Sequence, residues 1–150
     1  FLAGVVSPIV EMARLHPYEY THFNRIAGGV HAAREHYMID YWALSFKQAA
    51  KGLKAKIAEL GLVKPPDRRW KLAVCGAHRS PQVELGPDFD TTWDPKGADF
   101  ALMLGEFYCA KLDAPVWVEI ARADTVYARV YDIRSRSYET LLTLPGLRAR

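Results

Sequence analysis

The sequence predicts an α/β (α+β) domain: a small mixed four-stranded sheet with a C-terminal hairpin, packed by one long and one or two short helices. Three observations carry this. Apolar residues from Trp42 to Leu60 recur at steps of three and four, which is the spacing of one helix face. Two continuous apolar runs, "WKLAVCGA" and "FALMLG", are separated by more than twenty residues, enough for a crossover that leaves two strands parallel. The segments "VWVEIAR" and "VYARVYDIR" then alternate on either side of Asp124 as a hairpin does.

Taken in order, Ser7-Pro8 predicts a helix start, with serine as cap and proline at the first helical position, running to Leu15. Pro17 disfavours helical geometry at His16, and Tyr18 to Gly29 reads as irregular. "HAAREHYMID" reads as a short helical turn or loop. The long helix opens after Asp40 as cap, carries Trp42, Phe46, Ala49, Leu53, Ile57 and Leu60 on its apolar stripe, and stops at Gly61. Ser80-Pro81 predicts a second short helix through Leu85, and "GPDFDTTWDPKGAD" reads as loop. In the hairpin, a turn centred on residue 124 sets Glu119 opposite Arg129, Val118 opposite Val130 and Trp117 opposite Tyr131, and so implies an odd-length loop. Residues 135–150 read as a peripheral tail.

Composition narrows the function. One chain of 150 residues, half of them apolar, is one domain with its own core. Twenty Lys and Arg against 17 Asp and Glu are scattered, not striped, which argues against nucleic acid as a partner. Cys75 and Cys109 each sit in an apolar run and read as small buried hydrophobes, not as a bridge. The apolar start "FLAGVV" reads either as a lead-in to the first helix or as the stub, residues 1–6, of a preceding transmembrane helix.

No motif for catalysis is complete. His31, Glu35 and His36 crowd one region without the H-E-x-x-H order, and Cys75-x-x-His78 lacks a second ligand pair, so no metal site and no cofactor is assigned. Cys75 with His78 as a thiol–imidazole pair is set against inert packing of a strand cysteine. Asp88, Asp90, Asp94 and Asp99 lie near proline and glycine, where aspartate serves turns. The aromatics Tyr18, Tyr20, Tyr37, Tyr41 and Trp42 suit either a membrane interface, sugar stacking or the gap between the N-terminal helices and the sheet.

The run "RLHPYEYTHFNRIAGG" with "DYWALSFKQAAKGL" resembles the segment after the last membrane helix of bacterial polytopic GT-C glycosyltransferases related to dolichyl-phosphate-mannose-protein mannosyltransferases. "WDPKGADF" and "VEIARADTVYARVYDI" are similar to the end of the small extracytoplasmic domain that follows there, although Ala123-Asp124-Thr125 stands where such sequences often carry glycine. The resemblance spans about residues 12 to 134. It implies an accessory domain on the periplasmic side of the inner membrane, attached to the membrane part of the same polypeptide. The family's donor is a lipid-phosphate-linked sugar, and its catalytic carboxylate lies in a loop of the membrane part, so this chain alone holds no catalytic residue. It also implies that His16, Tyr18, Tyr20, Asn24, Arg25, Asp40 and Tyr41 line the cleft for lipid donor or glycan acceptor, with Asp40 also capping the long helix. A free-standing module for a carbohydrate or lipid headgroup is the alternative, and a small cytosolic enzyme using Cys75 and His78 is a third reading.

Overall fold

The computed structural model describes residues 2–141, without the side chains of Leu2, Ala3 and Arg25. In chain order it runs α1 (Leu2–Leu15), α2 (Gly29–Ala33), α3 (Ser45–Glu59), β1 (Trp70–Cys75), α4 (Arg79–Leu85), β2 (Phe89–Thr92), β3 (Phe100–Leu104), β4 (Val116–Arg122), β5 (Thr125–Asp132) and α5 (Tyr138–Leu141), with short 3-10 turns at Glu19–Thr21 and Arg25–Ala27. The mixed α+β class is as expected, with one strand more than the four foreseen.

The sheet order is β2-β1-β3-β5-β4. β1 lies parallel to both β2 and β3, and β3 pairs antiparallel with β5. The apolar runs are thus adjacent parallel strands, their buried positions (Leu72, Val74, Phe100, Leu102) filling the main core. Against one face lies α3, whose Phe46, Ala49, Ala50 and Leu53 are fully buried. Gly52, a cost to helix propensity, is there for contact: a Cβ at this position would come within 2.7 Å of Val118 Cγ1. The other face is covered by Leu112 and Leu141, so the chain after residue 135 is not wholly peripheral. Residues 142–150 of the expected tail, and Phe1 of the expected stub, lie outside the described residues.

Four expectations need correction. Ser7-Pro8 does not open α1, which runs through Pro8; the proline is exposed, so the carbonyl it leaves without a partner faces solvent. Trp42 is not on the α3 stripe: α3 begins at Ser45, and Trp42 is 68% exposed while Ala43 is buried. The "DFDTT" loop contains β2, a short edge strand in which only Phe89 is apolar and buried, so no apolar alternation marks it. The hairpin loop is even, because Arg122 pairs with Thr125 across Ala123-Asp124 alone, both at positive φ as two-residue turns of type I′ require.

The central register nevertheless holds, with Val118 opposite Val130 and Glu119 opposite Arg129. Irregularities between Ile120 and Ala121, and between Val116 and Val118, absorb the difference. As a result Val116, not Trp117, faces Tyr131. Trp117 turns instead onto Phe100, at 5.2 Å between ring centroids, with the Arg134 guanidinium 4.9 Å from its ring.

The cysteines also differ from expectation. Cys75 and Cys109 form a disulfide, with Cα atoms 5.8 Å apart. β1 and β3 are neighbours, so the end of one and the loop after the other come together, which brings both sulfurs within bonding reach. Cys75 is therefore no free thiol, and the thiol–imidazole reading with His78 fails.

Candidate functional site

The motif segment 16–29 packs across the tip of the β4–β5 hairpin. Tyr18 is buried and stacks on Tyr127 at 5.0 Å, while its hydroxyl donates to Gln48 Oε1 on α3 at 2.8 Å. Burial pushes the Tyr18 hydroxyl up to about 12, the nearby Arg122 guanidinium opposing. Arg122 reaches back from β4 to donate to the His16 carbonyl at 2.9 Å. Thr21, also buried, donates to the Tyr18 carbonyl at 2.7 Å and exchanges a hydrogen bond with the Tyr127 hydroxyl at 2.7 Å. Leu15, Val30, Ala33 and Ile39 close this small core around Tyr18 and Tyr127.

Asp40 is the polar hub. Its Oδ1 accepts the Leu44 N–H at 2.9 Å and the Tyr20 hydroxyl; its Oδ2 accepts the Ser45 N–H at 3.0 Å and the Ser45 hydroxyl. Asp40 is not the cap residue itself, because α3 starts at Ser45 with Leu44 as its N-cap, but its carboxylate reaches across the intervening turn and accepts the first amides of the helix. Burial first, then the hydrogen bond to Asp40, drive the Tyr20 hydroxyl far above its ordinary range.

Of the residues the sequence singled out, the structure brings Tyr18, Tyr20 and Asp40 together. The others stand apart. His16 is exposed and bonds Glu19; Asn24 is exposed and accepts the Ala27 N–H at 2.9 Å; Tyr41 is exposed, edge-on to Trp42. Arg25 lies in a 3-10 turn, and its side chain is outside the described residues. Among the described residues no group of three His, Cys, Asp or Glu side chains is arranged to hold a metal ion; His31 instead meets the Asp124 carbonyl at 3.2 Å.

Sequence reasoning missed Glu106. Placed just after β3, it is only 6% exposed, and its Oε1 accepts the N–H groups of Ile39 at 2.9 Å and Asp40 at 2.8 Å. Its Oε2 is buried with no hydrogen-bond partner. The signal available was its position: a carboxylate directly beyond the C-terminal end of a buried parallel strand, where open α/β sheets place ligands. Gly105 makes this approach possible, since a Cβ there would fall 1.9 Å from the Val126 carbonyl oxygen. Beside Glu106 opens a cavity of about 450 Å³, with Arg34, Phe107, Lys111, Arg129 and Tyr131 among its walls.

Burial raises the Glu106 carboxyl above its ordinary value of 4.5, and the Asp40 charge adds to this, against the two N–H groups that pull it down. A carboxyl raised in the folded state favours folding in its protonated form. Its contribution is therefore complete below the ordinary value and is lost as pH rises through the folded one. Urea midpoints recorded from about pH 4 upward should fall over that window for the wild type. Glu106→Gln should flatten that segment of the profile; identical profiles would refute the assignment.

No protein-family model matches the chain, and no curated protein or solved structure matches it either.

Proposed function

We propose that the chain is an extracytoplasmic accessory domain of a membrane-bound glycosyltransferase that uses a lipid-phosphate-linked sugar, lying against the bilayer and not catalytic by itself. The observation that carries this reading is the outer face of α1. Val5, Val6, Ile9, Val10 and Met12 are all exposed there, at helical spacings that set them on adjoining rows of one side. Such a stripe is costly in water and suits an interface with lipid or with a membrane-embedded part of the same polypeptide. Ile26, Tyr41 and Trp42 are further exposed apolar side chains in or beside the motif segment, and half-wet aromatic rings favour the headgroup level. No helix among the described residues is long and apolar enough to cross a membrane, so the reading is of surface attachment by the described part.

The disulfide supports the periplasmic side of the inner membrane, because such bonds persist in oxidising compartments and are rare in the cytosol. In this reading the motif segment joins α1 to the sheet through Tyr18, Arg122 and Tyr127, and Tyr20 and Arg25 are the residues assigned to the acceptor or lipid donor.

The test is co-flotation of the protein with phosphatidylcholine/phosphatidylglycerol vesicles. Wild type should float, and Val6→Asp with Ile9→Asp should weaken partition by more than about a hundredfold, from roughly 1.5–3 kcal/mol per buried aliphatic side chain. In the full-length enzyme, Tyr20→Ala with Arg25→Ala should lower turnover at unchanged expression. Failure of the wild type to float, or full turnover in the double variant, would sink the proposal.

A further inference from the structure

We propose that the aromatic surface around Asp40 docks an arginine side chain of a partner protein. Four rings stand exposed there in two edge-on pairs. Tyr41 meets Trp42 with centroids 5.0 Å apart at 88°, and Phe107 meets Tyr108 at 5.5 Å and 86°. Trp42 is 68% exposed and Phe107 70%, and Tyr41 and Tyr108 are also open to solvent. The two pairs come from segments sixty-odd residues apart, which Glu106 Oε1 joins by accepting the Ile39 and Asp40 N–H groups. Each pair follows directly on that junction, Tyr41-Trp42 after Asp40 and Phe107-Tyr108 after Glu106. Tyr20 adds a fifth, half-exposed ring, its hydroxyl donating to Asp40 Oδ1.

Charge chooses the partner. Asp40 is buried and takes four hydrogen bonds, from the Leu44 and Ser45 N–H groups and the Ser45 and Tyr20 hydroxyls, all of them neutral donors. A buried carboxylate ordinarily has a cation for partner. Among the described residues no ion pair reaches Asp40, and no guanidinium lies over any of these five rings. The negative potential is felt at Tyr108, where burial first, then the Glu106 and Asp40 charges, push the hydroxyl up. Ring faces are themselves electron-rich, so the surface attracts a cation and disfavours an anion such as a lipid phosphate. Guanidinium is the protein cation that suits it: planar, weakly hydrated, prone to stack on rings, and enriched with Tyr, Trp and Phe where proteins meet.

The inference stands on the charge at Asp40 and not on the apolar face of α1. Failed flotation therefore leaves it intact, and a failed titration leaves the membrane reading of α1 intact.

The experiment is a titration of the ¹H–¹⁵N spectrum of the protein, without vesicles, with N-acetylarginine amide and with N-acetylcitrulline amide as its neutral isostere. The arginine probe should shift the Trp42 indole N–H and the amides of 41–42 and 106–108, saturating with a Kd on the order of 10 mM. The citrulline probe should bind at least about fivefold more weakly. Trp42→Ala, at an exposed position, should weaken arginine binding about threefold without changing the thermal melt, and Asp40→Asn about fivefold. If Asp40→Asn does not fold, Trp42→Ala decides. Silence toward the arginine probe, equal binding of the two probes, shifts confined elsewhere, or undiminished binding by Trp42→Ala would each overturn the proposal. Silence joined to broadening of the Trp42 indole by phosphatidylcholine/phosphatidylglycerol vesicles would overturn it too, and would give these rings to the bilayer.

Discussion

Replacing Cys75 and Cys109 together by alanine is expected to lower stability by about 3–4 kcal/mol, the loop-closure entropy of a bridge spanning 34 residues. For a domain whose total margin is about 5–15 kcal/mol, that is a large share. The loss should be felt first at one place. Without the bridge the turn after β3 is held by the Cys109-to-Glu106 backbone bond and by the two N–H groups on Glu106 Oε1. Urea unfolding with and without a thiol reductant checks this. Reductant should lower the wild-type midpoint and leave the double variant unmoved. Equal midpoints throughout, or two titratable thiols in the folded, unreduced protein, would defeat the prediction. The second result would also remove the argument for an oxidising compartment.

The bridge shows why some features were legible from sequence and others were not. Features set by local spacing could be read. The α3 stripe from Phe46 to Leu53, the parallel pair β1 and β3, and the facing of Glu119 with Arg129 all follow from periodicity and loop length. Features set by which distant segments meet could not. The pairing of Cys75 with Cys109 depends on the loop after β3 turning back to the end of β1, and no local pattern records that contact. β2 escaped notice because an edge strand of four residues with polar Asp90, Thr91 and Thr92 looks like a turn. The hairpin loop was misread for a related reason: a two-residue turn plus a later irregularity yields the same central offset as a three-residue turn.

The candidate site divides along the same line. Its aromatic and carboxylate members were visible as a dense motif, but their purpose within the fold was not. Tyr18, Thr21 and Asp40 spend their hydrogen bonds on the protein itself, anchoring the segment between α1 and α3 to the start and middle of α3 and to Tyr127 of the hairpin. Glu106, by contrast, carries no motif and stands alone between "MLG" and "FYC". Only the fold shows that it reaches back sixty-odd residues to the Ile39 and Asp40 amides and still has an oxygen to spare.

Asp40→Ala is expected to be as damaging as loss of the disulfide, at about 3 kcal/mol from two additive causes. The first is the cap: the Leu44 and Ser45 N–H groups lose their acceptor at the start of α3, where Ser45 is buried and water cannot substitute. The second is the Tyr20 hydroxyl, which loses the carboxylate it donates to and is left half-buried. These causes separate experimentally. Tyr20→Phe removes only the second and should cost about 1 kcal/mol. In a double-mutant cycle, adding Tyr20→Phe to Asp40→Ala should therefore cost little more than Asp40→Ala alone. Asp40→Asn keeps an acceptor for one or both amides and should fall between wild type and alanine. If Asp40→Ala unfolds at the wild-type urea midpoint, the carboxylate does not organise this end of the helix. If it costs stability but the cycle is strictly additive, Asp40 caps α3 while Tyr20 is free of it. Tyr20 would then be available to a ligand, and the turnover test of Tyr20→Ala would gain weight over the stability test.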